Sequence, residues 1–70
     1  MGRIKGWIKI DDNRWMNKNN TDIVLIIHKH SGRYWLVTDD GENEIVIENA
    51  YRKQHIQRLA TLYMKAYPRG

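Results

Sequence analysis

The chain has no cysteine, a single proline and a single serine, and no apolar run longer than the five residues Ile23–Ile27. Without cysteine there is no disulfide scaffold, thiolate zinc site, iron–sulfur cluster or thiol nucleophile. Small secreted domains usually carry disulfides, so their absence points to the cytoplasm. A five-residue run is far short of the roughly 20 residues that cross a bilayer, so no membrane span is expected. The first residues, Met1 to Gly6, lack the hydrophobic stretch of a signal peptide. With one proline, at Pro68, strands and a helix can run uninterrupted. The lone serine, Ser31, has no nucleophile-elbow glycines around it. The acidic residues have no partner pattern for acid–base work, and so no enzyme, cofactor or small-molecule substrate is expected.

What remains is 70 residues with 41% hydrophobic and 29% charged content, the balance of one folded domain. A domain of this size buries only about 60% of its unfolded surface. A second copy or a bound partner would therefore add stability.

Local patterns predict an α+β domain: an antiparallel meander of four to five strands followed by one C-terminal helix on one sheet face. Residues 3–10 alternate. Ile4, Ile8 and Ile10 fall on one face, expected to be the apolar one; Arg3, Lys5, Trp7 and Lys9 fall on the other. Asp11-Asp12-Asn13 marks a turn into a short strand, 14–17. Residues 22–29 and 33–38 are apolar on both parities, as in central strands covered on both sides. Ser31-Gly32 between them is a tight turn, and Asp40-Gly41 is the next hairpin signal. A last strand, 44–48, has Ile45 and Ile47 inward and Val46 outward with Glu44 and Glu48. Asn49 is a natural N-cap for a helix of about 50–67 ending before Pro68. On a helical wheel Tyr51, His55, Ile56, Leu59, Leu62, Tyr63, Ala66 and Tyr67 share one half. One helix covers one sheet face. The other face, expected to carry Trp7 with Trp15 or Trp35, needs a cover: the first hairpin folded over, a second copy, or a ligand.

The formal charge of +4 hides a segmented layout. Residues 1–36 hold seven bases and three acids, residues 37–50 five acids and no base, and residues 51–70 five bases and no acid. An acidic hairpin thus lies between two basic stretches. Basic and aromatic residues interleave at Lys5-x-Trp7-x-Lys9, Arg14-Trp15 and Arg33-Tyr34-Trp35. Proteins that hold single-stranded nucleic acid use this pairing, with rings stacking on bases and cations tracking phosphates. Lys5, Trp7, Lys9, Arg14, Trp15, Arg33 and Trp35 are accordingly the candidate nucleic-acid-binding residues. The competing reading makes the tryptophans core or homodimer-interface residues. A third makes the acidic hairpin 39–48 the contact for a basic partner protein. His28-x-His30 places two imidazoles on one strand face, but only His55 remains as a third, so no metal site is expected.

Trp15, then Gly32-x-x-Trp35-x-Val37, then Ala60-x-x-x-Met64-x-x-x-Pro68 occur in that order. Together they resemble small proteins of archaea and their viruses that pair a Trp-bearing sheet with a terminal helix and have no known activity. The resemblance spans most of the chain and implies an archaeal origin. The strand order followed by one helix is also similar to the single-strand-binding coactivator and whirly proteins, which pair as dimers. It is similar again to the arm-binding domains of tyrosine recombinases. These two likenesses are of topology, and no residue motif carries over.

Overall fold

A computed structural model describes residues 4–70. Its elements are β1 (Trp7–Asp11), β2 (Arg14–Asn17), β3 (Val24–His30), β4 (Arg33–Asp39), β5 (Glu44–Ala50) and α1 (Lys53–Ala66). The strands form one antiparallel sheet in the order β1-β2-β3-β4-β5, and α1 packs on β3, β4 and β5. This is the α+β meander with a C-terminal helix that the pattern predicts. Arg3, assigned to the first strand by its parity, lies outside the described residues.

The turns follow local chemistry. Ser31 (φ 53°) and Gly32 (φ 74°) are both left-handed, as a two-residue turn compatible with sheet twist requires, and His30 pairs with Arg33 across it. At the β4–β5 tip, Asp40 accepts from the backbone N–H groups of Glu42 (2.9 Å) and Asn43 (2.7 Å), and Asp39 from that of Gly41 (2.8 Å). The Asn43 and Glu42 N–H bonds hold the Asp40 carboxyl below the ordinary aspartate range. At the β1–β2 turn the Asn13 N–H, and then Arg14, do the same for Asp11.

The core lies between sheet and helix. Leu25, Ile27, Leu36 and Ala50 from the strands meet Ile56, Ala60 and Met64 from the helix, and Trp7 closes one end. Ile56, Ala60 and Met64 recur every four residues, so they form one narrow stripe. That stripe is narrower than the predicted half-wheel. Leu62 and Tyr67 are exposed, as are His55 and Ala66, and Tyr51 precedes the helix. The helix starts at Lys53 rather than 50, because Asn49 and Ala50 stay in the β4–β5 ladder opposite Trp35 and Tyr34. Asn49 is therefore no N-cap; Arg52 occupies that position without a side-chain cap bond. Packing, not capping, holds this helix start.

The parity of β1 is the main correction. Trp7 is 6% exposed and in the core, whereas Ile8 and Ile10 are each 45% exposed. Helix and C-terminus cover the face carrying Trp7, so the face with the isoleucines is the open one. Ile45 is likewise 60% exposed, because it sits near the β5 edge of the sheet. A β-bulge between Leu36 and Val37 lets Ile47 reach the core.

Candidate functional site

The site grows from the way the C-terminus docks on the first hairpin. Asn17 ends β2 opposite Trp7 and is completely buried. Its Oδ1 accepts from the N–H groups of Asn19 and Asn20, both at 2.9 Å, and its Nδ2 donates to the Pro68 carbonyl at 3.2 Å. A buried amide needs such partners, since an unpaired one costs about 1–3 kcal/mol. The Lys18 N–H donates to the Gly6 carbonyl at 2.7 Å, which draws the 17–20 loop against the start of β1. Gly6 is left-handed (φ 86°) and sits so close to Pro68 that a Cβ there would come within 2.0 Å of its carbonyl oxygen. Trp7 stands edge-on to Tyr63, ring centroids 6.3 Å apart.

These contacts leave a cleft of about 880 Å³ on the first hairpin, lined by Ile4, Lys5, Gly6, Trp7, Ile8, Lys9, Trp15 and Lys18. Trp7 is the buried residue of this lining, with its indole N–H taken by the Tyr67 carbonyl. Trp15, opposite Lys9, is half-buried and packs against the core while keeping exposed surface. Lys5, Lys9 and Lys18 are exposed, and no carboxylate belongs to the lining. Lys9 approaches Asp12 at 3.6 Å through side chains that are both largely in water, a weak pairing. The cleft therefore offers an indole surface beside three ammonium groups, chemistry suited to an anion carrying a flat ring.

Of the seven candidate residues, Lys5, Trp7, Lys9 and Trp15 come together here. Trp7 does not offer a stacking face, because the core and the C-terminus enclose it. Arg14, Arg33 and Trp35 lie on the other side of the sheet. The strand register puts Arg14 in a row with Ile26, Val37 and Val46, and Trp35 in a row with His28 and Asn49. Another row on that side is Ile8, Met16, Val24, Asp39 and Glu44. The expectation that the tryptophans share the uncovered face is thus corrected: Trp35 alone is there. Arg33 donates to Asn49 Oδ1 (2.9 Å) and to the Tyr51 hydroxyl, with its guanidinium 4.3 Å from the Tyr51 ring centroid. The Trp35 indole donates to the His30 carbonyl at 3.1 Å.

Lys18 was not among the candidates, since sequence alone places it in a polar loop. The signal that could have found it is Asn17-x-Asn19-Asn20, a run able to fold back on itself through one amide side chain. His28 and His30 are exposed on the open side. Among the described residues no group of three or more His, Asp or Glu is placed to hold a metal ion. No helix among them is long and apolar enough to cross a membrane. No protein-family model, curated protein or solved structure matches the chain.

Proposed function

We propose that the chain is a small binding module for single-stranded nucleic acid, held in the cleft of the β1–β2 hairpin. The observation that carries this reading is the lining itself: three lysines and two indoles with no carboxylate among them. A base stacks on the accessible side of Trp15. Lys5, Lys9 and Lys18 neutralise the flanking phosphates. Stacking of this kind contributes about 1–3 kcal/mol per base, and each neutralised phosphate of a single strand adds about 0.7 to the salt slope.

A fluorescent single-stranded oligonucleotide titrated at several salt concentrations tests the reading. Three phosphate contacts predict that log affinity falls with log salt at a slope of about 2. Trp15→Ala lowers affinity about ten-fold or more, and Lys9→Ala or Lys18→Ala each reduces the slope, with the fold intact by circular dichroism. Absence of binding at low salt defeats the proposal. So does binding that ignores salt, or that is lost on changing Trp35 but not Trp15.

A further inference from the structure

The tail beyond the helix lies against the rim of the cleft. Pro68 cannot continue α1 and biases the residue before it toward extended backbone. The helix therefore ends at Ala66, and Tyr67 leaves its path (φ −128°, ψ 69°). Gly6 and Lys18 line the cleft. Pro68 stands against Gly6, and its carbonyl accepts from the side chains of Asn17 and Asn19, on either side of Lys18, at 3.2 and 3.5 Å. Trp7, flanked in sequence by Lys5 and Lys9, is closed off by this tail through the Tyr67 carbonyl.

Tyr67 has on the tail the place that Trp7 has on the first strand. Lys5-x-Trp7-x-Lys9 finds its counterpart in Lys65-x-Tyr67-x-Arg69. Unlike Trp7, Tyr67 is 52% exposed. One side of its ring leans on Tyr63, centroids 4.8 Å apart, and the other is open to solvent. Its backbone is held at both ends. The N–H donates to the Tyr63 carbonyl at 2.9 Å, and the carbonyl accepts from the Trp7 indole and the Gly70 N–H. A ring positioned in advance loses little freedom when a base stacks on it. Lys65 and Arg69 are exposed and make no ion pair among the described residues, and residues 51–70 contain no acid. A helix C-terminus is the negative end of its dipole, and Lys65 in the last turn offsets that for an incoming phosphate.

We infer that a nucleic-acid strand continues from the cleft over this tail, with a second base on Tyr67 and further phosphates on Lys65 and Arg69. The inference rests on the reading of the cleft as a nucleic-acid site. Trp15 pairs with Lys9 and with the core residue Leu25, so it lies on the helix side of the sheet. Tyr67 lies on that side too, bonded to Trp7. A strand reaches both rings without crossing to the other face. The site then takes a strand of several nucleotides in preference to a single nucleotide, which occupies one ring only.

Single-stranded oligonucleotides of about four and about twelve nucleotides test the inference. The short one fills the cleft alone, and its log affinity falls with log salt at the slope of about 2 that three contacts give. The long one reaches the tail, and five contacts raise the slope to about 3.5. Tyr67→Ala lowers affinity for the long strand about ten-fold and leaves the short one unchanged. Tyr67→Phe keeps the ring and binds like the parent. Lys65→Ala and Arg69→Ala, at exposed positions, each lower the long-strand slope by about 0.7. Far-ultraviolet circular dichroism confirms that each variant is folded, and if Tyr67→Ala is not, the slopes of the two cation variants decide. A folded Tyr67→Ala variant that binds the long strand like the parent, while Trp15→Ala weakens it, overturns this inference and leaves the cleft reading standing. Equal slopes for the two lengths do the same. No binding by the parent, or binding indifferent to Trp15→Ala, overturns both.

Discussion

The Trp7 indole N–H donates to the Tyr67 carbonyl oxygen at 3.0 Å, joining residues 60 positions apart. The same oxygen accepts from the Gly70 N–H at 3.1 Å. One carbonyl thereby ties the first strand and the C-terminal tail to the end of the helix. The Trp7 ring is also part of the core and contacts Tyr63. Trp7→Phe removes the bond but leaves the carbonyl its Gly70 partner, so the loss is one hydrogen bond and some ring volume. The expected cost is about 2 kcal/mol. In a domain of this size that lowers Tm by roughly 10 °C. Trp7→Ala should cost about 3–5 kcal/mol. Thermal unfolding of both variants checks this order.

Gly6 and Gly32 are both left-handed, yet they differ in what surrounds them. A Cβ at Gly6 meets the Pro68 carbonyl at 2.0 Å, whereas at Gly32 nothing lies within 4 Å. Gly32→Ala therefore carries only the backbone cost of a left-handed alanine, about 1–2 kcal/mol. Gly6→Ala adds the displacement of the C-terminal tail and should cost about 3 kcal/mol or more. Denaturant unfolding of the two variants separates the clash from the conformational cost. Equal losses would show that the tail does not dock against Gly6.

Tyr63 lies between Trp7 and Tyr67, its ring centroid 4.8 Å from that of Tyr67. Burial, and then the neighbouring Tyr67, raise its pKa above the ordinary value of 10.0. The folded chain thus holds this proton more tightly than the unfolded chain does. Stability from this group is full below pH 10.0 and declines as pH rises from there through the raised pKa. In Tyr63→Phe that part of the alkaline decline should disappear. Melting curves of parent and variant on either side of pH 10 measure the difference.

Much of the fold is legible in local sequence, because its causes are local. Ser31-Gly32 and Asp39-Asp40-Gly41 specify their turns through left-handed φ and side-chain bonds to the next N–H groups. Alternation in β1 shows that Trp7 and Lys9 share a face and that Ile8 belongs to the other. The helix boundary was less legible. Asn49 has cap chemistry, but Arg33 takes its side chain and the β4 ladder holds its backbone. Tertiary pairing overrides the local preference there.

By itself the sequence determined the meander, its turns, the single helix and which residues of each strand point the same way. Parity assigns residues to faces but does not say which face is covered. The tertiary structure made that choice when Ile56, Ala60 and Met64 packed on Leu25, Ile27 and Leu36, and the Tyr67–Pro68 segment closed over Trp7 and Asn17. A tryptophan buries more apolar surface than an isoleucine and needs a partner for its N–H, and the Tyr67 carbonyl provides one. That contact, 60 residues away in sequence, is why Trp7 lies inside while Ile8 and Ile10 face outward. It also separates the basic, aromatic cleft on the first hairpin from the open face that carries Trp35.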